Sequence, residues 1–273
     1  MKLLKGLALT AVLLALCGTA NADKKLLIDG SSTMLPIAQA LAEKYMDKTP
    51  GITISVKGGG SGIGVASLQD STCDIADSSR PIKGSEIAIA LTKGVDPKAT
   101  VVALDGIAII VNKANGITNL TKKQVRGIFN GSISNWSQVG GTPGKILAIS
   151  RDTSSGTYEA FIALALEGDK IRPDAMLQAA SQAVATTVAN TPGAIGYVGI
   201  GYISDTTKVL TVNGAECKKE NVLNNSYPYS RPLFMYTNGK PQGDAKVFID
   251  YVLSAEGQAV VEEQGFVALK KKQ

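Results

Sequence analysis

Residues 25–36 read Lys25-Leu26-Leu27-Ile28-Asp29-Gly30-Ser31-Ser32-Thr33-Met34-Leu35-Pro36. The apolar run Leu26-Leu27-Ile28 predicts a strand over Lys25–Asp29. A glycine and three hydroxyl residues then turn the chain, and Pro36 fits the opening of a helix, where its missing N–H costs nothing. Ile37, Leu41 and Tyr45 fall on one face of that helix, and Thr49-Pro50-Gly51 stops it. Ile52–Val56 begins a second strand. The alternation continues along the chain and predicts an α/β fold. Strands are expected at Cys73–Ala76, Val101–Val111, Lys145–Ile149, Ala194–Ile203, Val209–Val212 and Leu233–Tyr236. A helix is expected through Leu68, and another over Thr121–Phe129 with Val125, Ile128 and Phe129 inward. A third follows Thr157, with Phe161, Leu164 and Ala165 on one face. The last spans Ala245–Gln264, broken at Gly257. There is no internal repeat.

Two further segments repeat the design of the first turn: Gly58-Gly59-Gly60-Ser61-Gly62 and Arg151-Asp152-Thr153-Ser154-Ser155-Gly156-Thr157. Each ends a strand, supplies small hydroxyl residues and opens a helix. A helix N-terminus leaves backbone N–H groups unpaired and carries partial positive charge, which suits an oxyanion. Serine and threonine hydroxyls add donors. One such turn is adequately explained as a helix cap. Three in one chain, the last with Arg151, point to an anion held beyond the carboxyl ends of the strands. No Gly-Lys-Ser/Thr follows the glycines, so they are not a nucleotide-binding P-loop. A fourth polar segment, Asp74-Ile75-Ala76-Asp77-Ser78-Ser79-Arg80-Pro81, also ends a strand. It reads either as part of the same site or as a plain turn with Asp77 and Arg80 solvated or paired to each other.

The N-terminus sets the compartment. Lys2 and Lys5 precede an apolar run from Leu7 to Leu16, and Ala20-Asn21-Ala22 is a cleavage pattern, so residues 1–22 read as a secretory signal peptide. Cys17 offers lipid attachment as the alternative, but Leu16 before it is larger than the small residue such attachment takes. Cleavage removes two lysines and no acid, taking the formal charge from +5 to +3. That balance favours anions weakly and does not argue for nucleic acid. Histidine is absent from all 273 residues, which excludes Ser-His-Asp and Cys-His catalysis and histidine-ligated metals. Ser155 could be imagined as a nucleophile, but no base is near it in sequence. Cys73 and Cys217 survive cleavage; an oxidising compartment permits a disulfide between them, and two separate buried thiols are the alternative.

Together these segments resemble the phosphate-binding proteins of phosphate-specific ABC transporters, which are type II periplasmic binding proteins. The resemblance rests on Gly30–Pro36, Gly58–Gly62, Asp74–Pro81 and Arg151–Thr157, in the family's order. Further matches are Ile133–Gly141 around Trp136, Ala194–Gly199 and Arg231–Thr237. It implies two lobes, each a mostly parallel sheet flanked by helices, joined by two crossover strands. Lobe one would be 23–104 plus 229–273, and lobe two 105–228. It implies phosphate contacts at Ser61, Arg151, Ser155, Gly156 and Thr157, with Ser32, Thr33, Met34 and Leu35 as candidates in the first turn. Some family members carry an aspartate that accepts the proton of hydrogen phosphate. Here Ser79 stands in that place, with Asp77 as reserve acceptor, Arg80 adjacent, and Asp152 placed to pair with Arg151. Trp136 reads as packing.

The expected protein is a monomeric periplasmic receptor, without catalysis, cofactor or metal, that delivers phosphate to the membrane permease of an ABC importer. The alternatives are a receptor for another tetrahedral anion such as sulfate or arsenate, and an adhesion or signalling protein on the same fold.

Overall fold

The computed structural model describes residues 24–270; the expected signal peptide and Cys17 lie outside them. Among the described residues no helix is long and apolar enough to cross a membrane.

The chain begins with strand β1 (Lys24–Gly30), helix α1 (Leu35–Lys48), β2 (Ile52–Gly58), α2 (Ser61–Gln69), β3 (Ile75–Ser78) and α3 (Gly84–Thr92). The long β4 (Pro97–Asn112) follows, then β5 (Asn119–Leu120), α4 (Lys122–Asn130), β6 (Leu147–Arg151), α5 (Gly156–Leu164), β7 (Met176–Gln178) and α6 (Ser181–Asn190). The chain continues through β8 (Ala194–Gly199), β9 (Thr207–Val212), α7 (Lys219–Leu223), β10 (Ser230–Asn238), α8 (Gly243–Leu253) and α9 (Ala255–Glu263). The strands join in one ten-stranded mixed sheet, ordered β2-β1-β3-β10-β4-β8-β6-β7, with β9 beside β4 and β5 beside β9.

Each predicted strand and helix is present, with several bounds shifted: the strand expected at Cys73–Ala76 runs Ile75–Ser78, that at Lys145–Ile149 runs Leu147–Arg151, and that at Val101–Val111 begins at Pro97. The strand expected over Ala194–Ile203 ends at Gly199 and gives way to a 3-10 turn at Ile200–Tyr202. The last helix breaks at Ser254, three residues before Gly257, because the Ser254 hydroxyl caps α9 by accepting from the Gly257 N–H at 3.1 Å. Helices α3, α6 and α7 are additional. Burial follows the expected faces: Ile37, Leu41 and Tyr45 on α1 and Val125, Ile128 and Phe129 on α4 are buried. Leu164 is only half-buried, while Phe161 and Ala165 are fully so. Trp136 is buried and donates its indole N–H to the Gly193 carbonyl at 3.0 Å, in keeping with packing.

The disulfide expectation is corrected: Cys73 and Cys217 are free thiols, each buried in its own place. Cys73 leads into β3 and its thiol faces the Gly64 carbonyl on α2. Cys217 packs close to Gly106 on β4, so the two belong to different parts of the sheet. Burial pushes the Cys73 thiol up to about 12, which keeps it protonated and inert.

Two long strands hold the sheet together. The first half of β4 runs antiparallel to β10 as far as Gly106, paired with Ser230. From Ile107 it pairs instead with β8 and β9. The core of the β6–β8 region is aromatic: Phe161 on α5 stacks on Tyr197 of β8 at 3.9 Å between ring centroids and meets Phe129 of α4 edge-on at 4.8 Å. This packing holds α5 against α4 and β8. Phe161→Ala is expected to lower unfolding free energy by about 3–5 kcal/mol, the cost of truncating a fully buried ring, as measured by urea denaturation.

Candidate anion-binding site

The hydroxyl-rich turns meet at the carboxyl ends of the strands. β1 and β2 end side by side, with Gly30 level with Gly58 and with Asp77. The Gly30 carbonyl then accepts from the N–H groups of Gly59 and Gly60, each at 2.8 Å, which pins the second turn against the first. Gly60 takes φ +128°, and a Cβ there would lie 2.6 Å from the Ser154 carbonyl oxygen, so only glycine fits. α2 then starts at Ser61 and α5 at Gly156, each within contact of the other. The Gly62 N–H donates to the Ser154 carbonyl at 3.0 Å, and the Ser154 hydroxyl donates to the Gly59 carbonyl at 3.2 Å.

Of the expected contact residues, Ser32, Thr33, Met34, Ser61, Ser79, Arg151, Ser155, Gly156 and Thr157 are all buried, and Leu35 is half-buried. Two groupings emerge. In one, the Ser61 hydroxyl accepts from the Ser79 N–H at 3.0 Å and lies 3.3 Å from the Ser79 hydroxyl. Gly156 closes against both: a Cβ added to it would stand 2.2 Å from Ser61 Oγ and 2.7 Å from Ser79 Oγ. In the other, Thr33 Oγ1 lies 2.6 Å from Thr157 Oγ1 and 3.5 Å from Ser181 Oγ. Ser155 is the N-cap of α5, and its hydroxyl accepts from the Tyr158 N–H at 3.2 Å. Met34 is the N-cap position of α1 without a side-chain cap. The Ser32 hydroxyl is buried with no hydrogen-bond partner among the described residues.

Arg151 is the one arginine here whose charge meets mostly neutral groups. It is 1% exposed. Its Nε donates to the Gln178 carbonyl at 3.0 Å, Nη1 to Ser181 Oγ at 3.1 Å and Nη2 to the Ala179 carbonyl at 2.9 Å. A guanidinium has five N–H donors, so about two remain after these three. The nearest carboxylate, Asp152, stands 3.8 Å away. Asp152 spends its other oxygen on the Ser154 N–H at 2.8 Å, shaping the turn more than pairing Arg151. Burial draws the Arg151 pKa below its usual value, with Asp152 opposing.

The fourth segment divides. Ser79 reaches the cluster as described. Asp77 is buried as well, but its carboxyl makes no hydrogen bond at Oδ1. Burial first, and the Asp29 charge second, push its pKa well above the usual carboxylate range. Arg80 does not pair with Asp77. It forks onto Glu86 at 2.7 and 2.8 Å, and its Nε lies 2.9 Å from Glu159 on α5, which also meets Lys83 at 2.8 Å.

Sequence reasoning missed three residues. Ser181 opens α6 without glycine or proline before it to mark the turn. Asp105 and Arg231 are buried on the paired long strands, and the Arg231 Nε and Nη2 donate to Asp105 Oδ2 at 2.8 and 2.7 Å. Arg231 also donates from Nη1 to the Ser79 carbonyl at 3.0 Å and from Nη2 to Thr157 Oγ1 at 2.9 Å. A surface groove of about 910 Å³ beside Leu253, Gln258 and Leu269 shares no residue with this cluster.

Helix N-termini from both ends of one sheet, brought face to face over a buried guanidinium and linked by two long strands, define a two-lobed solute-binding architecture. Residues 18–256 match the PBP superfamily domain. The phosphate-binding protein PstS of Bacillus subtilis (strain 168) is 34% identical over 255 residues, covering 92% of this chain and 82% of that protein. The Borreliella burgdorferi PstS is 34% identical and covers 96% of each chain. Among solved structures, a putative phosphate ABC transporter substrate-binding protein with bound phosphate from Clostridium perfringens superposes with a TM-score of 0.84 at 32% identity, over 90% of this chain and 100% of that one. An ABC-type phosphate transport receptor from Vibrio cholerae gives 0.75 at 30% identity, over 89% and 100%. The chain belongs to the PBP superfamily, among the PstS-like phosphate-binding proteins.

A carboxyl with a raised folded-state pKa holds its proton more firmly when folded. The stability this gives is full below its unfolded value of about 3.9 and is lost as pH rises through the raised value. Asp77→Asn keeps the neutral shape at every pH. It is expected to melt higher than the wild type at about pH 8, with the gain shrinking toward about pH 4, as read by calorimetry across that range.

Proposed function

We propose that this chain captures inorganic phosphate between its two lobes and delivers it to the permease of an ABC importer. The observation that carries the reading is Arg151: a fully buried cation whose close partners are two carbonyls and a hydroxyl. A buried charge whose one carboxylate neighbour, Asp152, stands as far off as 3.8 Å is costly. An oxyanion seated against it would meet the N-termini of α2 and α5 and the hydroxyls of Ser61, Ser155 and Thr157. Thr33, Ser32 and the backbone of Met34 and Leu35 close the cage from the first turn. Relatives named for phosphate, one of them with phosphate bound, support the same ligand.

Hydrogen-bond polarity favours Ser79 over Asp77 as acceptor of the hydrogen phosphate proton. Ser61 and Ser155 already accept from backbone N–H groups, which turns their own protons outward. No N–H donates to the Ser79 hydroxyl among the described residues. Asp77 is buried within β3, and burial pushes its pKa up.

The lobes are 23–104 plus 229–273 and 105–228, a division supported by the change of partner in β4 after Gly106. Arg80 and Lys83 then pair with Glu159 across the cleft, and closure brings them together. The protein works outside the cytoplasm after loss of residues 1–22, and as a monomer.

Titration calorimetry is expected to show micromolar or tighter phosphate binding, about −8 kcal/mol or better. Tight sulfate binding with no phosphate response would overturn the assignment. Glu159→Gln removes part of a partly exposed ionic contact. It is expected to speed phosphate release by about two- to fivefold, with the effect fading in high salt, as followed by stopped-flow fluorescence.

A further inference from the structure

We propose that Arg231 is a positioning residue for this site: it holds the Thr157 hydroxyl as a hydrogen-bond donor to the bound anion. The inference rests on the receptor reading above. Arg231 lies on β10, one of the two long strands that link the halves of the sheet. The residue is 5% exposed, and its guanidinium is anchored on the wholly buried Asp105 of β4 by two bonds to one carboxylate oxygen. The other oxygen of Asp105 accepts from the Ile200 N–H at 2.9 Å, so the anchor is itself fixed from both sides.

From that anchor the guanidinium reaches both hydroxyl groupings. Nη1 takes the Ser79 carbonyl at 3.0 Å, and Nη2 takes Thr157 Oγ1 at 2.9 Å. The second contact has a chemical consequence. A hydroxyl oxygen has two lone pairs and one proton. Arg231 occupies one lone pair, and its positive field turns the O–H dipole away, so the Thr157 proton points out of the pair toward Thr33 and the converging turns. Thr33 Oγ1, at 2.6 Å, is where that proton rests when no anion takes it. Ser181 receives the same treatment from Arg151 Nη1 at 3.1 Å. The two arginines therefore divide the work. Arg151 keeps about two N–H groups uncommitted, whereas Arg231 is neutralised by Asp105 and acts through Thr157.

Lysine at this position keeps the charge but cannot reach Asp105, Ser79 and Thr157 together, because an ammonium lacks the planar fork. The test is a double-mutant cycle read by phosphate calorimetry, with thermal melting as the check on folding. Arg231→Lys is expected to weaken phosphate binding about tenfold in the wild-type background and less than about threefold in Thr157→Val. In Ser155→Ala, which perturbs the same turn, the tenfold loss should persist. Equal losses in the wild-type and Thr157→Val backgrounds would show that Arg231 only braces the strands, and would overturn the proposal. Equally reduced losses in Thr157→Val and Ser155→Ala would indicate general loosening of the turn, and would overturn it too. Should Arg231→Lys not fold, Asp105→Asn loosens the same anchor while keeping an acceptor, and is read in the same three backgrounds with the same outcomes. A wild type that takes no phosphate defeats the receptor reading; a wild type that binds with an additive cycle defeats this inference alone.

Discussion

Arg151 carries its charge into the interior with carbonyls and a hydroxyl for company, and much of the surrounding architecture answers to that. The starts of α2 and α5 add partial positive charge of the same sign. Bringing them together over a buried guanidinium is unfavourable unless something negative arrives. A ligand shifts a conformational balance only through contacts it makes better in one state. On the receptor reading the contacts come from turns on opposite sides of the cleft, so an anion would reward closure, and capture and closure would be one event.

The second buried arginine shows how the charge is kept within bounds. Arg231 stands close enough to Arg151 to oppose its protonation. Asp105 cancels it, with two bonds to the guanidinium and one to a backbone N–H. Without Asp105, a second buried cation would stand unneutralised beside Arg151. With it, the cluster presents one cation, Arg151, among neutral donors. The same pair bolts β4 to β10 where β4 changes partners, so the electrostatic correction and the mechanical link share residues.

What the sequence shows and what it hides follow from range. The first three turns are legible because their demands are local. A glycine at positive φ, hydroxyls and a helix start lie within a few residues, as Gly60-Ser61 illustrates. Ser181 fulfils a similar role at the start of α6, but Ala179-Ala180 precede it and carry no turn signal. The Asp105–Arg231 pair spans 126 positions, and in sequence each member is an ordinary polar residue beside an apolar run. Arg80 looked like a partner for Asp77, its near neighbour. In the fold, its charge is taken by Glu86 and by Glu159 of α5. The cysteines failed for the converse reason: a compartment that permits a disulfide says nothing about distance.

Asp77 and Ser79 are two residues apart and differ in what the protein lets them do. Asp77 lies within β3, level with Gly30 on one side and Met235 on the other. Neighbouring strands screen it from water on both flanks, and desolvation raises its pKa. The same burial that raises its pKa makes it a poorer candidate for the charged acceptor by which a carboxylate would reject sulfate. Ser79 lies just past the end of β3, where its carbonyl is held by Arg231 and its N–H by Ser61. Its backbone is fully engaged, while its hydroxyl meets the Ser61 hydroxyl at 3.3 Å and accepts from no N–H among the described residues. Under the receptor reading, selectivity then turns on how many hydroxyls are already committed as donors, and whether one is left to accept a proton.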